Sequence, residues 1–195
     1  QSAQANLGLG WREVERPATW VRVTSVGSVV RLARSRTAAE FDPLVSTVGL
    51  DASQLLANTV LSVGQGSAAR PAPGALITDR SQDYVRWRYG QPEQRYRIVL
   101  RGRGEDPSTA LAVVRERRRG RSVERAVVEV FGDRAVLQDV VRLGGRPDYL
   151  VAMGERPGKS WLRVPGTSPR LMVRRLDESV SLSKLDLSLG DVEGF

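Results

Sequence analysis

The sequence predicts a mainly β, α+β fold: a curved antiparallel sheet, or half-open β-barrel, of seven or more strands covered by one or two helices. Three observations predict it. Apolar and polar residues alternate in short runs from position 83 onward, the runs are separated by turns rich in Gly and Pro, and two helix-capping spacings precede them. A chain of 195 residues buries one sizeable core. Residues 17–195 are therefore read as a single domain, and residues 1–16, which lack periodicity, as an N-terminal arm.

In chain order, Thr19 to Val23 reads as a short strand, with Val21 and Val23 flanked by polar neighbours. Thr37-Ala-Ala-Glu40 and Asp51-Ala-Ser-Gln54 both have capping-box spacing, in which the first side chain accepts from the backbone three residues on and the acid or amide reaches back. Helices are expected near 37–45 and over 51–63. In the second, Leu50 and Leu55 are placed to form a hydrophobic staple, and Leu55, Leu56, Thr59, Val60 and Val63 share a face. Residues 64–75 contain too much Gly and Pro for a regular element and form a loop.

Beyond the loop the period becomes two. Val85, Trp87 and Tyr89 alternate with Arg86 and Arg88, and Tyr96, Ile98 and Leu100 alternate with Arg95 and Arg97. With Gly90 to Gln94 as their connection, these runs predict a hairpin whose one face is aromatic and aliphatic and whose other face is a plate of four arginines. Further runs at 110–118, 123–130, 135–143, 149–153, 160–164 and 171–176, joined through Gly and Pro turns, extend it into an antiparallel meander. So many twisted strands tend to curl. The helix at 51–63 would then cover a concave apolar face.

Composition narrows the chemistry. There is no Cys and no His, which removes thiol nucleophiles, disulfides, imidazole acid/base catalysis and Cys/His zinc sites. Pairs such as Glu105-Asp106, Asp177-Glu178 and Asp191/Glu193 have neither a glycosidase-like nor an EF-hand-like setting. Gly64-Gln-Gly66 and Gly102-Arg-Gly104 lack the rest of a phosphate loop. The expectation is a non-enzymatic protein with no catalytic residues, no metal and no cofactor.

The net charge is +8, and 28 of the 30 basic residues are arginine. A G+C-rich coding sequence produces that bias without selection for nucleic acid. The densest basic run, Arg115-Glu-Arg-Arg-Arg-Gly-Arg121, lies across an expected β-turn, and the aromatics fall on the face opposite the arginines rather than interleaving with them for base stacking. Nucleic acid is accordingly the third reading. No apolar stretch has the roughly 18 to 20 residues of a membrane-spanning helix. The start at Gln1 without a charged-then-apolar leader fits an exported, periplasmic product whose signal has been removed.

The second half, about residues 110–192, resembles the LolA-like outer-membrane lipoprotein-sorting family. The resemblance is carried by the basic strand pair Arg117-Arg-Arg-Gly-Arg-Ser-Val-Glu-Arg125, by Tyr149-Leu150, by Trp161-Leu-Arg-Val-Pro165 and by Arg170-Leu-Met-Val-Arg-Arg175. The segment Ser181 to Val192 matches the family at Ser181, Asp186, Ser188 and Asp191, while Lys184 stands where the family has Gly. The resemblance implies a greasy concavity that holds the acyl chains of a lipid or lipoprotein.

Val85, Trp87, Tyr89, Tyr96, Ile98, Leu100, Val128, Leu150, Leu162 and Leu187 are the residues expected to line that cavity or core. Each buried methylene is worth about 0.8 kcal/mol, so an acyl chain binds without hydrogen bonds. A basic exterior adds attraction to an anionic membrane surface. The alternative is an accessory or structural subunit of a larger envelope or surface assembly, using such a domain as an interaction module.

Overall fold

The computed structural model describes residues 11–13, 17–35, 42–43, 48–58, 76–77, 80–101, 110–145, 147–165, 172–174 and 185–186. Its strands are β1 (Trp11–Glu13), β2 (Thr19–Val23), β3 (Asp42–Pro43), β4 (Leu50–Asp51), β5 (Leu76–Ile77), β6 (Arg97–Arg101), β7 (Ala110–Arg119), β8 (Ser122–Phe131), β9 (Tyr149–Met153), β10 (Leu162–Arg163), β11 (Met172–Arg174) and β12 (Leu185–Asp186). Its helices are α1 (Val26–Ser35), α2 (Ala52–Asn58), α3 (Gln82–Tyr89) and α4 (Val136–Arg142), with a short 3₁₀ turn at Pro92–Gln94.

The main sheet is mixed with helices, mostly antiparallel and open. Its strand order is β10-β2-β9-β8-β7-β6-β4, with β3 also paired to β7 beside Arg117 and Arg118. The long pair β7–β8 turns at Gly120, whose φ of 57 suits the left-handed conformation that glycine adopts freely. Two smaller ribbons, β1 with β11 and β5 with β12, lie off this sheet.

The expected meander is corrected in two places. From β8 to β9 the chain runs parallel, with Glu124 beside Tyr149 and Ala126 beside Val151. A parallel neighbour requires a crossover rather than a hairpin, and α4 supplies it. Residues 135–143, read as a strand, are therefore helical over 136–142: Val136, Leu137 and Val140 are buried at helical spacing, and Asp133 accepts the backbone N–H of Ala135 at 2.8 Å. The second correction is that β2 lies between β9 and β10, so an early strand occupies a place among late ones.

The first strand of the expected 85–100 hairpin is also a helix, α3. Ser81 accepts the N–H of Tyr84 at 3.3 Å, Asp83 sits in the first turn, and Gly90 closes the helix by donating to the carbonyl of Arg86 at 2.9 Å. Val85 and Tyr89 are spaced i and i+4, so one helix face carries both, and Trp87 between them points out. The four-arginine plate does not form. Arg88 is buried on α3, Arg86 donates to the carbonyl of Leu56 at 3.1 Å, and Arg97 clamps the carbonyls of Val48 and Gly49 at 3.1 and 2.6 Å.

Asp51 caps α2, accepting from the N–H of Gln54 at 3.2 Å and from Ser53 Oγ at 2.6 Å. The helix is described as far as Asn58, so 59–63, like the loop 64–75, lies outside the described residues. Of the helix expected near 37–45, residues 42–43 are strand β3 and the remainder, with the Thr37 cap, lies outside them. Within the expected N-terminal arm, Trp11–Glu13 is strand β1, paired with β11.

Both faces of the sheet are filled. On one, α2 and α3 press Ala52, Leu56, Val85 and Tyr89 against Tyr96, Ile98, Leu111, Val113 and Val128. On the other, Val136, Leu137 and Val140 of α4 pack with Val99, Ala112, Val114, Leu150 and Trp161. A bulge in β8 changes its phase. Val113 faces Glu129 and Val114 faces Val127, leaving Val128 as the extra residue. The carboxylate of Glu129 thereby reaches the α3 side, where Tyr89 Oη donates to it at 3.3 Å and Arg80 pairs with it at 3.0 Å.

Candidate functional site

The end of the sheet where β2 stops, β9 starts and β7 turns into β8 carries the most distinctive arrangement among the described residues. Its organising group is Asp148, which precedes β9 and is buried. Oδ2 of Asp148 accepts the backbone N–H of Val123 at 2.8 Å, and Oδ1 accepts from Arg31 Nε at 2.6 Å and Ser28 Oγ at 3.1 Å. Thr24 adds donors to the carbonyls of Pro147 and Asp148, at 2.6 Å from its hydroxyl and 3.1 Å from its N–H. Burial by itself raises the Asp148 pKa; the bonds from Arg31, Val123 and Ser28 outweigh it and hold the carboxyl below its ordinary value.

Asp148 thus fixes helix α1 by its polar side. Ser25 caps the helix, accepting the N–H of Ser28 at 3.2 Å. Ser28, which is 1% exposed, points inward with Arg31 reaching the same carboxylate. The opposite face, Val26, Val29, Val30 and Ala33, follows the i, i+3, i+4, i+7 pattern of an apolar stripe and is exposed, Val26 to 85%. The usual orientation of a surface helix is reversed.

Beside α1 the β7–β8 turn presents Arg118 and Arg121 to solvent. Their neighbour Arg117 is held in an ion pair with Glu124. Arg117 Nε donates to Glu124 at 2.8 Å, and the other carboxylate oxygen of Glu124 accepts from Tyr149 Oη at 2.8 Å. Burial first, and the Glu124 carboxylate next, push the Tyr149 phenol far above its ordinary range, against a smaller opposing effect of Arg119. Tyr149 is a fixed donor. On the other face of the same strands, buried Arg125 donates to Glu116 at 2.9 and 2.6 Å and to the carbonyls of Val140 and Gly144 at 3.1 and 2.6 Å. It holds the C-terminal end of α4 as a charged cap.

The residues expected to line a cavity are not brought together at one surface. Val85, Tyr89, Tyr96, Ile98 and Val128 are buried in the layer beneath α2 and α3, whereas Leu150 is buried in the layer beneath α4. Trp87 is 59% exposed, Leu162 65% and Leu100 39%. Trp87 is outside because α3 is a helix, and Leu162 and Leu100 because they lie toward strand ends. Leu187 lies outside the described residues, as do Glu105-Asp106, Asp177-Glu178 and Asp191/Glu193.

Among the described residues no group of three or more His, Cys, Asp or Glu is placed to hold a metal ion. No helix there is long and apolar enough to cross a membrane. What the sequence reading missed is α1 and its anchor. The available signal was Ser25 ahead of Val26, Val29, Val30 and Ala33, obscured by Gly27 and by β-branched residues that favour strands. No family model, no curated protein and no solved structure matches the chain.

Proposed function

We propose that this chain is a non-enzymatic accessory module of an envelope or surface assembly, docking through its exterior rather than holding a ligand between its layers. The carrying observation is the outward apolar stripe of α1, secured by a buried carboxylate on the helix's polar side. A helix turned this way leaves valines in water with no internal gain, which is the mark of a contact surface. Among the described residues, the buried carboxylates of Glu116, Glu124, Glu129 and Asp148 are each paired with an arginine.

The acyl-carrier reading keeps its support in the resemblance of residues 110–192 and in the apolar layer beneath the two short helices α2 and α3. Native mass spectrometry of gently purified chain separates the two. A ligand-free mass is expected, together with binding of a hydrophobic-surface dye that falls when Val29 and Val30 are changed to serine. A stoichiometric co-purifying acyl lipid, retained by the Val29→Ser, Val30→Ser variant, would return the chain to the carrier reading.

A further inference from the structure

We propose that the occupant of the α1 surface is an anionic lipid bilayer, with α1 lying in the headgroup region and the β7–β8 turn making the electrostatic contact. The inference rests on the exterior-docking reading above. Its independent argument is charge complementarity at one end of the sheet. β2, which runs into α1, pairs with β9 from Val23 and Tyr149 onward, and Tyr149 in turn pairs with Glu124 of β8. Asp148 ties α1 to Val123, two residues from Arg121. The apolar stripe and the exposed arginines 118 and 121 therefore belong to the same edge of the molecule, with exposed Arg34 in the last turn of α1.

Apolar residues on one side of a short helix and flanking guanidinium groups are the chemistry of an interfacial helix on acidic headgroups. A protein partner of ordinary composition supplies no reason for that pairing. A nucleic acid would use the arginines and leave the valines in water. Among the described residues at this end, Asp148 and Glu124 are buried and bonded to Arg31 and Arg117 and so do not cancel the attraction. Asp42 of β3 stands opposite Arg118 in register and leaves Arg121 and Arg34 as the arginines not set against an acidic strand partner. Headgroup contact by each arginine is worth roughly fivefold in partitioning.

Sedimentation of the whole chain with vesicles of equal parts phosphatidylglycerol and phosphatidylcholine tests it, with phosphatidylcholine vesicles alone as the comparison. Binding is expected to the first and not the second, weakening as salt shortens the Debye length below about 10 Å. Arg118→Glu with Arg121→Glu is expected to reduce it at least roughly 30-fold. Val29→Ser with Val30→Ser is expected to reduce it on the order of tenfold. All four positions are exposed, and an unchanged thermal midpoint verifies that the variants fold.

Absence of binding to the anionic vesicles, or binding that ignores either pair of substitutions, overturns the lipid assignment. So does retention on DNA that the arginine pair abolishes and the valine pair leaves intact, if vesicles are not bound. If vesicles fail while Val29→Ser, Val30→Ser dissolves a concentration-dependent dimer in sedimentation equilibrium, the lipid assignment falls and exterior docking stands. If vesicles fail, the valine pair alters neither self-association nor dye binding, and the native chain takes up palmitate stoichiometrically, both fall.

Discussion

At the scale of single residues, a few buried ion pairs make this domain sensitive to the loss of one partner. Arg125 is 1% exposed and neutralises Glu116 while capping α4. Replacing it by Met leaves a carboxylate buried without its partner, and urea denaturation should show a loss of about 3–5 kcal/mol. Adding Glu116→Leu should recover most of that loss, because the pair's attraction largely offsets its own desolvation. Asp148 yields a pH prediction. Its folded pKa lies below the ordinary 3.8, so its contribution is complete above about pH 4 and is lost as the pH falls through the depressed value. Asp148→Asn should lower stability at neutral pH by about 1–3 kcal/mol and flatten its decline in acid. Gly145 has φ +86 and its missing Cβ would sit 2.9 Å from Val48 Cγ2 and 3.1 Å from Arg125 Nη2. Gly145→Ala should cost about 1–2 kcal/mol by thermal unfolding. None of these roles was legible in the sequence. An Arg among 28, or an Asp before a strand, carries no local mark of a partner many residues away.

At the scale of elements, legibility depended on how many residues each pattern spanned. β7 and β8 read plainly because ten-residue runs of β-branched and alternating residues, broken by Arg119-Gly120-Arg121, admit one interpretation. Val85, Trp87 and Tyr89 form only a three-membered alternation, and its outer members are equally an i, i+4 helical pair. The signal that decides between them is Ser81 three residues before Tyr84, together with Gly90 after Tyr89. The difference is measurable. Trp87→Gln should leave stability within about 0.5 kcal/mol, and Tyr89→Ala, at the buried position of the same helix, should cost about 3–5 kcal/mol in the same urea titration. The β8 bulge was illegible for a related reason: alternation shows phase but not where an inserted residue resets it.

At the scale of the whole molecule, the fold class was legible and the connectivity was not. Strand content and turn spacing define an open, mostly antiparallel sheet with helices, but strand order depends on which partner each edge finds. Hydrogen exchange should rank the result, with the slowest amides in β7 and β8 and the fastest among the sheet strands in β10 and β4, the two-residue strands at its margins. The expectation placed an apolar lining inside a curved wall with the arginines on its exterior; in the structure α4 and the pair α2–α3 fill the two faces of the sheet, and an exposed apolar stripe lies on α1. The position of β2 between β9 and β10 has a consequence for biogenesis. β9 and β10 are translated long after β2, so β2 is without both of its sheet neighbours until Tyr149–Met153 and Leu162–Arg163 have been made. Truncation before Tyr149 should therefore yield nascent chains that remain protease-sensitive throughout, and a pulse-labelled full-length chain should acquire resistance in a single late step.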